Sequence, residues 1–345
     1  RPGFHPPDLV FEGRDRSLPP PAPFPGPIAG EKPLGETTVG RYITRRLLLT
    51  IPVLIGTSFL IFAMVYALPG DPIRALAGDR PLAPAVAAQL RADYNLDDPL
   101  IVQYFKYIGG FFQGDFGTDF SGRPVLDTIE RALPVTIKLT IVAVVIETVI
   151  GIAAGVLSAL KRGSFFDNLV LLSTTLLVSI PVFVLGFLAQ FTLGLQLGLF
   201  PVAGINDGWA SYLLPGLVLA SLSMAYVARL TRTSVAESMA ADYIRTAKAK
   251  GISNRRIIFR HALRNSLIPV VTFIGADVGG LLGGAIVTET VFNLPGLGRA
   301  IYDGLARQEG AVVVGIVMLF VFFYIFFNLV VDVLYAVLDP RIRYE

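Results

Sequence analysis

The sequence has no cysteine, two histidines and one tryptophan among its 345 residues. Without cysteine there is no disulfide framework, no thiolate nucleophile and no thiolate-held metal. His5 and His261 lie far apart in sequence and belong to no metal-ligand spacing, so a protein-bound metal is not expected. Charge is also scarce: Asp, Glu, Lys and Arg make up 16% of the chain, and the formal net charge is only +3. That excess is too small for a nucleic-acid binder, so the placement of the cations is more informative than their sum. The Gly-x-x-x-x-Gly-Lys-Ser/Thr phosphate loop is missing, as is the Gly-x-Ser-x-Gly elbow of serine hydrolases. ATP hydrolysis by that loop and triad catalysis are therefore not expected, and the chain is read as no enzyme, with no cofactor of its own.

Apolar sequence is what the chain has in abundance, at 53% of residues. Six runs are long enough to cross a bilayer: 47–68, 139–160, 168–200, 212–228, 265–288 and 311–331. The first two, of 22 residues each, match a hydrocarbon core of about 30 Å at about 1.5 Å per residue. The third has 33 uncharged residues, too many for one upright helix and too few for two with a turn, which predicts tilt or a bend near Pro181. The expected fold class is an all-α membrane protein with six transmembrane helices, which puts both termini on one side.

The cations set that side. Segments 36–46, 161–167, 229–264 and 339–345 hold 16 Lys and Arg in 61 residues, whereas the alternate loops 69–138, 201–211 and 289–310 hold nine in 103. The cation-rich set is assigned to the cytoplasm. Residues 1–35 carry ten of the 24 prolines and read as a disordered cytoplasmic tail, not a secretory signal, because the first apolar run starts too late and is too long. Segment 36–68 then leads through the first span, 69–131 is extracytoplasmic, and 132–345 forms a core with five spans and the cytoplasmic loop 229–264.

Within the outer segment, Asp98 reads as a helix cap with Pro99 at the first helical position. Leu100, Ile101, Tyr104, Phe105, Ile108, Phe111 and Phe112 follow at helical spacing, which predicts an amphipathic helix at the outer interface. It serves either as a lid packed on the spans or as a landing surface for an external partner.

Two acids, Glu147 and Asp277, lie well inside apolar runs, where an ionisable group is costly and marks a functional candidate. Two roles are open: lining a pathway or carrying a proton, and hydrogen bonding between packed helices. Gly275, Gly279, Gly280, Gly283 and Gly284 would let another helix approach closely, within this chain or from another.

The stretch DYIRTAKAKGISNRRIIFRHALRNSLIPVV, residues 242–271, crowds seven Lys and Arg into 30 residues. It reads as two helices split at Gly251, which suits the left-handed position that ends a helix, with Ser253 or Asn254 capping the second. Ala240, Tyr243, Ile244 and Ala247 share a face of the first helix, and Arg256, Arg260 and Arg264 form a positive stripe on the second. This is either an anchor on anionic lipid headgroups or a rigid docking helix that presents a small apolar face, with Ala247 permitting close approach, to a soluble protein. A nucleic-acid grip is not expected, because stacking aromatics are nearly missing and the loop is tethered at the membrane.

YIRTAKAKG followed by HALRN resembles the cytoplasmic loop of bacterial ABC-importer permeases, in the version used by peptide permeases. Arg245, Thr246 and Ala247 stand where the general motif has Glu-Ala-Ala, and Gly251 keeps its glycine. RYITRRLLLTIPVLIGTSFLIF, LPGDP, GDFGTDFSGRPV, ETVFNLPGLGRAI and NLVVDVLYAVLDPRIRY are similar to stretches of the first permease subunit of dipeptide and oligopeptide importers. The resemblance implies the permease fold of binding-protein-dependent importers in a bacterial inner membrane. It also implies a heterodimer with a sister permease, two cytoplasmic ATPase subunits that bind ATP and Mg, and an extracytoplasmic solute-binding protein. Tyr243, Arg245, Thr246, Ala247, Lys248, Lys250 and Gly251, with Arg256, Arg260 and His261, would form the ATPase-coupling element. Related permeases import nickel, glutathione or haem, which are kept as alternatives. Outside the family, the alternatives are a proton-coupled secondary transporter using Glu147 or Asp277, and a membrane scaffold that transports nothing.

Overall fold

In a computed structural model, residues 38–66, 97–119 and 121–338 are described, with positions 84, 85, 88 and 91; side-chain surroundings are described for 44–331 of these. The proline-rich tail and most of segment 69–96 lie outside the described residues.

Regular structure among the described residues is helical, apart from one antiparallel bridge between Thr118 and Pro124. The helices are α1 (Thr38–Tyr66), α2 (Leu100–Phe111), α3 (Val125–Leu160), α4 (Phe165–Ser179), α5 (Val182–Gln196), α6 (Ala210–Ala240), α7 (Asp242–Ala249), α8 (Asn254–Val291), α9 (Leu297–Ala306) and α10 (Gly310–Leu338). Among the described residues five are long and apolar enough to cross a membrane, and α4 with α5 is apolar enough as a pair bent by 109°, which is the geometry of a broken span or of a re-entrant loop. The bend falls where Pro181 forces Ile180 into extended backbone, as expected from the overlong apolar run.

Several helices outrun their apolar sequence. α3 begins at Val125 and passes through Asp127, Glu130, Arg131 and Lys138, so it continues across position 131, where the outer segment was expected to end. Its 36 residues span roughly 54 Å against a core of about 30 Å, so one end stands clear of the hydrocarbon.

α6 is the central helix, packed against α3, α4, α5 and α8. Gly216, Gly151 and Gly155 permit the contact with α3: a Cβ on Gly155 would lie 2.5 Å from the Ala228 carbonyl. The glycine-rich run of α8 is divided between faces. Cβ atoms on Gly275 and Gly279 would each lie 2.7 Å from a side chain of α10, Val331 and Tyr324, whereas Gly283 has nothing within 4 Å. The close approach is therefore made inside this chain at the first two.

α1 touches mainly α10 and leaves Leu48, Val53, Leu60 and Met64 exposed, as suits a peripheral helix facing lipid. α2 lies on α1: its Tyr104 is buried, and the phenol meets the Ser58 hydroxyl at 2.7 Å. Pro99, not Asp98, is the N-cap of α2, and the Asp98 carboxylate pairs with Lys106.

Candidate functional site

The basic turn at the C-terminal end of α6 is compact. α7 runs from Asp242 to Ala249 and ends at Gly251, whose φ of +73° is the left-handed conformation the sequence called for. Ser253 is the N-cap of α8 by backbone geometry, but its side chain makes no capping bond.

One expectation needs correcting. The helical spacing places Ala247 with Tyr243 and Ile244 on the face that a docking helix would offer to a soluble partner. Ile244 and Ala247 instead turn inward and form a small core with Ile257 and Ala262. The cause is the tight turn at Gly251, which folds the start of α8 back onto α7 and covers that stripe. The face left open carries Tyr243, Arg245, Thr246, Lys248 and Lys250, so it is cationic with one aromatic. Arg245 reaches Asp242 at 3.4 Å, and the Thr246 hydroxyl donates to the Asp242 carbonyl at 3.1 Å. On α8, Arg256 and Arg260 are exposed and His261 is half-buried. A π-helical segment, Ile257–Ala262, changes the register, so the basic groove is lined by Arg255, Arg256 and Arg260, without Arg264.

A second cluster, not anticipated from the sequence, fastens this turn to the bundle. Arg232, near the end of α6, donates through Nε to Asp167 Oδ1 at 2.7 Å and through Nη2 to Asp167 Oδ2 at 2.9 Å. Asp167, in the first turn of α4, is buried and also accepts from the Ser158 hydroxyl of α3 and from the Gly163 N–H. Three spans meet at one carboxylate. Arg229, one turn earlier, donates to Thr174 and Thr175 of α4. The apolar run of this span ends at Ala228, so both arginines read as loop cations although α6 carries them inside the bundle.

A third cluster lies at the opposite face. Glu289, fully buried, accepts from the Thr136 hydroxyl at 2.6 Å and from the Arg299 N–H at 3.0 Å, while the Leu297 N–H donates to Thr136 Oγ1 at 2.8 Å. Both N–H groups belong to the first turn of α9, where free donors and the helix dipole favour a carboxylate. Gly296 is obligatory here, since a Cβ would come within 2.3 Å of the Glu289 carboxylate.

Between these faces lie the two interior acids. Glu147 is fully buried at the start of a π-helical segment in α3, Glu147–Gly151, and the half-buried Asp277 carboxyl of α8 faces it. Among the described residues neither Glu147 oxygen nor Asp277 Oδ2 has a hydrogen-bond partner within bonding geometry. The sequence picked both acids out separately, and the fold brings them together.

A family model described as "Binding-protein-dependent transport system inner membrane component" matches residues 151–344, and a companion model for the N-terminal part of such components matches residues 39–140. The dipeptide transport system permease protein DppB of Escherichia coli K12 is 40% identical over 336 residues, covering 88% of this chain and 99% of that protein. The glutathione transport system permease protein GsiC of Escherichia coli K12 is 43% identical over 306 residues, with the same two coverages, 88% and 99%. Among solved structures, an inward-facing MetNI methionine ABC transporter chain superposes with a TM-score of 0.51 at 19% identity, over 61% of this chain and 96% of that one. The last comparison bears on fold alone.

Proposed function

The chain belongs to the family of binding-protein-dependent transport inner membrane components, and from this premise we propose that it is a permease subunit of an ATP-driven importer of short peptides. The observation that carries the reading is the near-complete match to two permeases named for a dipeptide and for glutathione, both short peptides with free carboxylates and an ammonium group. The setting is a bacterial inner membrane. A sister permease completes the pathway, an extracytoplasmic binding protein delivers the peptide, and two cytoplasmic subunits bind and hydrolyse ATP with Mg.

In this reading α7 is the element on which an ATPase subunit seats. Its geometry suits the task. Ile244 and Ala247 lock it to the start of α8, and Arg232 locks the end of α6 to α3 and α4 through Asp167. A push on the face of Tyr243, Arg245, Thr246, Lys248 and Lys250 is therefore passed to rigid spans and not absorbed by a loop. Arg256, Arg260 and His261 stand beside that face. In this reading the exposed Ile101 and Phe105 of α2, with Phe112 just past its end, offer the apolar surface that a binding protein would meet.

The test is uptake of a labelled dipeptide and of labelled glutathione by proteoliposomes holding the complete complex. ATP-dependent uptake of either supports the reading. Uptake that follows an imposed proton gradient without ATP would replace it with the secondary-transporter reading, in which the Glu147–Asp277 pair carries the proton.

A further inference from the structure

The start of α8 carries a groove of about 430 Å³ lined by Ser253, Arg255, Arg256, Phe259 and Arg260. Phe259 is 66% exposed, a large apolar side chain standing beside three guanidinium groups. The three arginines are exposed, and among the described residues no carboxylate pairs with any of them. The groove is held in shape from behind: Ile257 and Ala262 point the other way, into the core shared with Ile244 and Ala247. The π-helical register of Ile257–Ala262 leaves Arg255 and Arg256 about one wide turn from Phe259 and Arg260, so all four reach one groove.

Helix length sets the depth. α8 has 38 residues, roughly 57 Å, of which a core of about 30 Å takes only part. The apolar run that fills the core starts at Asn265, so Arg260 lies about 8 Å to the cytoplasmic side of it and Arg255 about 15 Å. The headgroup layer extends about 5–8 Å past the core, so Arg260 sits at its outer edge and Arg255 beyond it, and the long arginine side chains reach back toward the phosphates. An aromatic ring flanked by cations at this level is the pattern of an interfacial anchor.

We propose that this groove is a binding site for an anionic phospholipid of the cytoplasmic leaflet. Arg255, Arg256 and Arg260 hold the phosphate, the Ser253 hydroxyl adds a donor, and Phe259 packs against the glycerol end of the lipid, toward the first acyl carbons. The site is separate from the α7 face, and the inference goes beyond the transport reading without depending on it. It also separates the arginines from the coupling residues: α7 takes the ATPase, and the head of α8 takes lipid. A bound lipid would fix the height of the coupling turn relative to the membrane.

The experiment uses the complete permease complex in nanodiscs, with Trp209→Phe to remove the native indole and Phe259→Trp to report on the groove. Quenching is compared between acyl-brominated phosphatidylglycerol and acyl-brominated phosphatidylcholine at equal mole fraction, with and without the ATPase subunits. The expected result is preferential quenching by phosphatidylglycerol that persists with the ATPases bound and survives millimolar inorganic phosphate. Replacing Arg255, Arg256 and Arg260 by Gln should weaken that preference roughly a hundredfold, from the contribution of each cation near an anionic surface. All three side chains are exposed, so the fold tolerates the change. Equal quenching by the two lipids overturns the proposal, as does a preference untouched by the Gln variant. Shielding by the ATPase subunits would assign the groove to them, and competition by inorganic phosphate would assign it to a free anion.

Discussion

Arg232 grips Asp167 with two parallel hydrogen bonds, at 2.7 and 2.9 Å, across 65 residues of sequence. The pair is nearly sealed: the Asp167 side chain is 3% exposed and that of Arg232 is 19% exposed. Removing one partner leaves the other as an uncompensated charge among packed helices. Arg232→Ala and Asp167→Ala should each cost about 3–5 kcal/mol, and Arg232→Lys, which loses the bidentate fit, an intermediate amount. Thermal unfolding in detergent measures this. A double variant no less stable than either single one is expected, because the two changes share one interaction.

At the outer face, Glu289 supplies the cap that α9 does not obtain from its own N-cap residue, Gly296. Glu289→Ala should destabilise by about 3 kcal/mol, since it strands a buried hydroxyl and a helix N–H. Gly296→Ala is expected to be comparably harmful although it deletes nothing, because the methyl group and the carboxylate compete for one space. Glu289→Gln, which keeps an acceptor, should be the mildest of the three.

The interior acids behave oppositely. Among the described residues no protein group donates to Glu147, so Glu147→Gln takes an ionisable group out of the apolar interior at nearly constant volume and should leave stability equal or raised. Glu147→Ala opens a cavity and should cost about 2 kcal/mol. In the ATP-driven account, uptake by Asp277→Asn is as insensitive to a protonophore as that of wild type. A protonmotive response present in wild type and lost in Asp277→Asn would give the pair the proton-carrying role.

Glu309, just ahead of α10, offers a pH handle outside the membrane. Burial pushes its carboxyl above the ordinary value, and the Asp119 carboxylate adds to the effect. A raised acid binds its proton more tightly folded than unfolded, so its contribution is most favourable below the unfolded value and is lost as pH rises through the folded one. Glu309→Gln should therefore gain stability over wild type at neutral pH, and the gain should vanish on acidification below the ordinary glutamate range. Unfolding midpoints measured across that range check the sign.

How much of this was legible in the sequence follows from the reach of each interaction. The apolar runs, the bend at Pro181 and the break at Gly251 are local: each depends on residues within a turn or two, and each is where the sequence put it. The ends of α3 and α6 were not legible, because hydropathy marks the hydrocarbon boundary while the helices continue through Lys138 and Arg232 beyond it. The inward turn of Ala247 depends on Ile257 and Ala262, which a single-helix wheel cannot supply. Glu147 and Asp277 stood out as costly, but their meeting is a property of how α3 and α8 pack. The ETVFNLPGLGRAI stretch carries a family likeness but no visible geometry in the sequence, and in the fold its Glu289 caps α9 over Gly296, a contact no local pattern announces.

The most direct measurement is recovery of ATPase activity with the tagged chain from detergent-solubilised native membranes, comparing wild type with a Lys248→Glu, Lys250→Glu variant. Lys248 on α7 and Lys250 just past its end are exposed and make no contact in the small core behind it, so insertion and folding should be unaffected. The account predicts that wild type brings down an ATPase that hydrolyses ATP in the eluate and that the variant loses it. Equal recovery by a correctly inserted variant, or none by wild type under conditions that keep a known permease complex whole, would contradict the seating of an ATPase on this face.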